Sequence, residues 1–340
     1  MNNTYIDACF RRPTSHTPIW IMRQAGRYMP QYQEVRGQVD FLTLCKTPDL
    51  ATKVTLLPID ILNVDAAILF SDILIPLEPM GIKVTFEDKV GPVLSAVQDE
   101  ASIKALRMIE AEEDVGFVME AVRMIRGELG GRVPLIGFSG SPFTLATYAV
   151  EGGTTKSFHN IKGLVYSRPD LADYLLDLLA DVVINYLNAQ IKAGAQAIQI
   201  FDTWGGILSE PEYVRFSLKP VRKILANLER KSVPVIYYIN NGSHVAHHMD
   251  DVDADVIGID WRQNIGDARR TFGQRKAVQG NLDPTVLFAS PQDIRTRAHK
   301  VMDEAGPEPG HIFNLGHGIL PQTPMENAIA LVEAVHEYRR

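Results

Sequence analysis

Cysteine is nearly absent from this 340-residue chain: Cys9 and Cys45 are the only two, far apart and in no C-x-x-C spacing. A disulfide framework is therefore not expected, which fits a reducing cytosol. Long apolar runs are missing as well. No stretch approaches the ~18 to 20 uninterrupted apolar residues of a membrane span. The first run, Pro18–Met22, follows Asp7 and is too short for a secretion signal. There is no excess of positive charge either: 34 Lys and Arg face 41 Asp and Glu, a net charge of −7. An acidic surface argues against nucleic acid or an anionic membrane as the main partner. An anionic substrate would then need a local basic pocket held against the overall field. No G-x-G-x-x-G follows the first apolar run, and no low-complexity tract or long linker interrupts the chain. These absences together predict a soluble, cytoplasmic protein.

What is present is a repeating unit: a short β-rich run, a polar or Gly-containing turn, then a long amphipathic segment. The runs are Ile19–Met22, Ala67–Phe70, Pro134–Phe138, Ala197–Phe201, Val235–Ile239, Val256–Ile259, Ala277–Gln279 and His311–Asn314. They are short and mostly continuous, as parallel strands covered on both faces require. Helix-like stretches lie between them at Asp49–Asn63, Leu171–Ala193, Pro211–Glu229, Asp293–Ala305 and Met325–Tyr338. Several open on capping pairs such as Thr47-Pro48, Ser290-Pro291 and Thr323-Pro324. Eight alternations predict an α/β fold, a single-domain (β/α)₈ TIM barrel spanning residues 1–340 with a short N-terminal extension. The Lys83–Arg126 region leaves room for an extra hairpin or helix.

A barrel carries its chemistry at the C-terminal ends of its strands. The residues that follow the runs are Arg23, Gln24 and Arg27; Ser71 and Asp72; Ser139–Ser141 with Tyr148; Asp202, Thr203 and Trp204; Asn240 and Asn241; Asp260 and Arg262; Asn281 and Asp283; and Gly316, His317 and Gly318. Polar groups with small neighbours crowd one rim, as a binding mouth demands.

Five of these segments, RQAGRYMP (Arg23–Pro30), FSDIL (Phe70–Leu74), GFSGSPFTLATY (Gly137–Tyr148), FDTWGG (Phe201–Gly206) and NLGHGI (Asn314–Ile319), resemble the uroporphyrinogen decarboxylase family in order and spacing. The likeness runs from about Pro18 to the last helix, and RQAGRYMP is its most specific part. Gln31 stands where Glu is common, Ser141 where Ala is common, and Thr203 where Ser is usual; Thr203 keeps the hydroxyl. The resemblance implies a homodimer with facing clefts, and a substrate, uroporphyrinogen, with four acetate and four propionate arms. It also implies conversion of every acetate to methyl with no cofactor and no metal.

Each rim residue has a plain structural alternative. Arg23 and Arg27 could be solvated charges, but Gln24, Ala25 and Gly26 between them let a ligand approach the backbone, and guanidinium forks match carboxylates. The resemblance makes this whole segment substrate-binding, with Arg23 and Arg27 also catalytic. Asp72 could be a turn cap. As an acceptor-only carboxylate it could instead gather several pyrrole N–H groups, which is the catalytic role the resemblance implies. Tyr148, Thr203 and His317 are placed against the substrate by the resemblance alone; Asp202 is read as structural and Arg36 as surface charge. His244, His247 and His248 share a spacing but have no local carboxylate or cysteine to complete a metal set.

No cofactor loop appears, and no lysine stands at a strand end for a Schiff base; in the reaction the resemblance implies, the pyrrole itself can take the electrons released by CO₂ loss. His317 titrates in a range suited to a general acid, and an arginine of the RQAGR segment is the other donor the resemblance suggests. Three alternatives stay open at this stage: a zinc-dependent methyltransferase on the same fold, a phosphosugar lyase or isomerase using Gly280–Asn281 and Asn314–Gly318, and a non-catalytic binding protein.

Overall fold

The computed structural model describes residues 3–87 and 90–339. Its strands are β1 (Ala67–Ile68), β2 (Val84–Glu87), β3 (Gly91–Leu94), β4 (Leu135–Gly140), β5 (Ala197–Asp202), β6 (Val235–Ile239), β7 (Val256–Gly258), β8 (Ala277–Gln279) and β9 (His311–Ile312). Seven form one parallel sheet in the order β1-β4-β5-β6-β7-β8-β9. Helices follow the strands in the α/β alternation of a TIM-barrel-like fold. The open Lys83–Arg126 region holds the antiparallel hairpin β2–β3, then helices at Glu100–Lys104, Ala111–Asp114 and Gly116–Leu129.

The first expected strand, Ile19–Met22, is not a regular strand. It still sits where the eighth stave belongs: Ile19 pairs in parallel with Phe313 beyond β9, and its carbonyl accepts from the Asp65 amide ahead of β1 at 2.8 Å. The reason lies in its amide partners. Ile19 N–H donates to the Asp65 carboxylate (2.8 Å), Ile21 N–H to Gln24 Oε1 (3.1 Å) and Met22 N–H to Asn314 Oδ1 (3.0 Å). Side-chain acceptors stand beside a few backbone bonds, such as Phe313 N–H to the Pro18 carbonyl at 2.8 Å, so the barrel closes through a partly polar seam between β9 and β1.

The expected helices appear as Pro48–Leu62, Pro169–Ala193, Pro291–Ala305 and Met325–Glu337. Ser290 caps its helix as its position suggested, accepting from Asp293 N at 3.2 Å, whereas the last helix is capped by Pro324 one residue beyond Thr323. The Pro211–Glu229 segment is broken by a π-helical turn over Tyr213–Leu218. No helix among the described residues is long and apolar enough to cross a membrane.

Inside the ring, small and branched residues (Ala197, Ile236, Val256, Ala277, Ile312) pack against Tyr5, Ala8 and Cys9 of the helix Thr4–Cys9, which plugs the N-terminal end. A buried polar chain also crosses the ring: Trp20 Nε1 donates to Gln279 Oε1 (2.9 Å), and Gln279 Nε2 donates to Gln199 Oε1 (3.0 Å). The segments that follow the strands lie at the opposite end, the C-terminal mouth.

Candidate active site

Arg23 leaves the first stave with φ +64, a left-handed conformation unusual for a residue with a side chain. Its aliphatic stem lies on Gly318: a Cβ there would stand 2.5 Å from Arg23 Cδ. Glycine at 318 is therefore what admits the guanidinium to the mouth. Arg27 is exposed a turn later, and among the described residues no hydrogen bond or ion pair engages either guanidinium. Gln24 behaves differently. It is buried, with Oε1 held by Ile21 N–H and Nε2 by the Ala66 carbonyl (both 3.1 Å). Its amide thus helps to build the seam. Ala25 and Gly26 form the tight turn between the arginines, with Met29 N–H on the Gly26 carbonyl at 2.9 Å. Arg36 donates to the Val39 carbonyl (2.6 Å), clear of the mouth.

Asp72 follows β1. One oxygen accepts from Leu74 N–H at 2.9 Å, so the capping alternative is real. The other oxygen takes no hydrogen bond among the described residues. Burial raises its pKa above the usual carboxylate range, against the Leu74 amide and the Arg23 charge, which both lower it. Tyr148 lies within electrostatic reach of the same two groups; burial and the Asp72 charge raise its phenol pKa. Its ring packs 6.1 Å from Trp204, which packs 5.0 Å from Phe158.

Thr203 and Trp204 follow the last residue of β5, Asp202. Asp202 is fully buried and accepts from Ser141 Oγ (2.7 Å), Thr144 Oγ1 (3.2 Å), Gly205 N (3.1 Å), Ser217 Oγ (2.5 Å) and Tyr237 OH (2.7 Å). Ser141, one of the departures from the family pattern, thus serves both this carboxylate and the N-cap of Pro142–Glu151. Gly206 is forced too, since a Cβ there would stand 2.2 Å from the Asn240 carbonyl.

His317 is half-buried on the opposite wall. Burial first, and then Arg23, lowers its pKa to about 4 despite the Asp260 charge. It is neutral at pH 7, so its ordinary titration range does not make it a ready acid in the free protein. Asp260, another rim residue, is buried and grips Arg262 (Nη1 2.9 Å, amide 2.7 Å) and the Asn241 amide. Arg262 in turn stacks 4.2 Å over Trp261.

The mouth therefore gathers Arg23, Arg27, Asp72, Tyr148, Thr203 and His317, and turns Gln24 inward. Both cysteines are buried and free, and burial pushes both thiols up; Cys45 lies within electrostatic reach of Asp72, whose charge opposes a thiolate there further. The expectation that no carboxylate joins the histidines needs correcting: Glu210, far back in the sequence, accepts from His247 and His248 at 3.0 and 2.9 Å. That group is on the surface, with Glu210 53% exposed and His247 59%.

The sequence model of the family "Uroporphyrinogen decarboxylase (URO-D)" matches residues 1–338. A uroporphyrinogen decarboxylase from Geobacter sulfurreducens is 53% identical over 337 residues, covering 99% of this chain and 98% of its own. One from Alcanivorax borkumensis is 52% identical over 342 residues, covering 99% and 97%. The chain belongs to the uroporphyrinogen decarboxylase family. Among solved structures, a methyltransferase from Methanosarcina mazei superposes with a TM-score of 0.79 over 99% of this chain and 98% of its own at 22% identity, a likeness of fold. Within the family frame, the RQAGR segment divides its labour between barrel closure through Gln24 and a free cationic edge through Arg23 and Arg27.

Proposed function

We propose that this chain removes CO₂ from the four acetate arms of uroporphyrinogen, giving coproporphyrinogen, at the mouth around Asp72. The observation that carries the reading is full-length identity near 50% with uroporphyrinogen decarboxylases, joined to a half-buried, half-satisfied carboxylate within electrostatic reach of Arg23, whose guanidinium, like that of Arg27, has no partner among the described residues.

The chemistry needs no external electron sink. A proton added to a pyrrole α-carbon makes an iminium-like cation. The bond from the acetate methylene to its carboxylate then breaks, CO₂ departs, and the electron pair neutralises the ring as an exocyclic alkene. Protonation of that methylene carbon gives the methyl group, and loss of the ring proton restores the pyrrole. One proton is consumed per CO₂ released.

Asp72 uses its free oxygen to accept pyrrole N–H groups and its charge to oppose the transient cation. At ~4 Å and an effective dielectric near 20 that charge is worth ~4 kcal/mol, roughly a thousandfold in rate. The term grows as the cation forms, so it acts on turnover more than on binding. Arg23 and Arg27 hold the carboxylate arms, with Thr203, Tyr148 and His317 completing the wall. An arginine of the RQAGR segment is the better proton donor of the two considered, because His317 enters the reaction neutral. The protein works as a cytoplasmic homodimer, and residues 1–340 act as one barrel unit with a short N-terminal extension.

Anaerobic incubation with uroporphyrinogen, products separated by carboxylate count, tests the reading. Expected are seven-, six-, five- and four-carboxylate products with no added cofactor, and turnover indifferent to EDTA. Turnover lost to EDTA and restored by zinc would instead favour methyltransferase-like chemistry.

A further inference from the structure

We propose that His16, Asp65 and His336 form a zinc-binding site at the N-terminal end of the barrel, away from the mouth, that clamps the barrel seam. Asp65 is buried, and its two oxygens meet the Nε2 atoms of His16 at 3.0 Å and His336 at 2.9 Å. The three donors lie within 4.8 Å of one another. They come from three separate parts of the chain: the lead into the first stave, the lead into β1, and the C-terminal helix.

Two imidazoles and a carboxylate with one position left open form a zinc-type donor set. The supporting contacts also suit it. Ser15 Oγ lies 3.1 Å from His16 Nδ1, so that nitrogen can carry the proton while Nε2 turns to a metal. Ile19 N–H fixes Asp65 Oδ2 at 2.8 Å. A cleft of about 670 Å³ opens beside the three residues and gives a fourth ligand access. Two arginines line it, but Arg132 is paired with Asp60 (2.6 Å) and Arg339 donates to the His336 and Tyr338 carbonyls. Their charge favours an anionic fourth ligand. A metal here would join the irregular first stave to the strand and helix beside it.

The test is zinc titration of EDTA-stripped, dialysed protein by calorimetry and thermal unfolding, on wild type, His16→Gln, and the His247→Gln/His248→Gln pair. Cobalt absorption serves as a direct reporter of coordination. One zinc per chain is expected in wild type and in the His247/His248 variant, with Tm raised by about 4 °C at a hundred times Kd. His16→Gln should stay folded, since Gln still donates to Asp65, but should weaken zinc at least tenfold and lose the tetrahedral cobalt spectrum. Absence of zinc binding in wild type overturns the proposal. So does binding that survives His16→Gln and disappears with His247 and His248, which would place the metal at the exposed cluster.

Discussion

Two aspartates flank one short strand and live in opposite electrostatic worlds. Asp65, just before β1, has both oxygens engaged by His16, His336 and the Ile19 amide. Despite its burial, these contacts hold its carboxyl below the usual range. Asp72, just after β1, keeps one oxygen unengaged, and burial raises its pKa. The difference separates a carboxylate that the fold has completed from one that a ligand must complete. The same contrast divides the two ends of the barrel. At the N-terminal end a helix plugs the ring and Asp65 finds its partners, while at the mouth no hydrogen bond or ion pair among the described residues engages the guanidiniums of Arg23 and Arg27.

Replacing Asp72 by Asn gives the largest expected effect. Asn keeps the size and an acceptor but loses the charge, so single-turnover rate should fall about a thousandfold with far less change in substrate affinity. Stability should move the other way. A carboxyl whose pKa is raised on folding binds its proton more tightly in the folded chain, so it costs stability above its folded pKa and nothing below its unfolded value. Asp72→Asn should therefore be at least as stable as wild type at pH 7. A variant that is less stable but chemically unimpaired would reduce Asp72 to a turn cap.

Arg23→Lys and Arg27→Lys come next. A lysine keeps the charge but not the planar fork. Losing one charge-assisted bond of ~1.5 to 3 kcal/mol should lower kcat/KM by about ten- to 150-fold in each. Near wild-type kinetics in both would make them ordinary surface charges.

Asp65→Asn should do the reverse of Asp72→Asn, leaving turnover within a few-fold of wild type. It should cost about 1.5 to 3 kcal/mol in urea unfolding, because one histidine loses its charged acceptor. A carboxylate whose pKa is lowered on folding contributes stability above its unfolded pKa and loses it as pH falls through the folded value. The variant should consequently lack that part of the acid sensitivity below about pH 4.

The smallest effect is expected at His317. Already neutral above about pH 4, it should leave the kcat/KM profile of the free enzyme between pH 6 and 8 unchanged on replacement by Gln. A profile that loses an ionisation near 6.5 would restore the imidazole as a proton donor.

The barrel was legible because parallel strands and their covering helices leave continuous apolar runs, and the rim residues were legible because small and polar types cluster after those runs. The first stave misled because apolar Ile19–Met22 matches a strand pattern, while its amides are met by Asp65, Gln24 and Asn314, residues that no local window joins. The seam contacts of Gln24 were hidden for the same reason: position placed it at the mouth, while its amide meets Ile21 and Ala66. The Asp202 hub, the Glu210–histidine contact and the His16–Asp65–His336 cluster all bring together residues far apart in sequence. Periodicity carries no signal for such meetings. His317's depressed pKa was likewise invisible, since it depends on burial and on where Arg23 falls in space.

Titrating the side-chain carboxyls of Asp65 and Asp72 by carbon-13 NMR, each assigned from its Asn variant, tests the contrast most directly. Asp72 should protonate above the ordinary aspartate range and Asp65 below it in the same ligand-free sample. Asp72 titrating at or below the ordinary value, or Asp65 above it, would contradict the claim that the fold completes one carboxylate and leaves the other for the substrate.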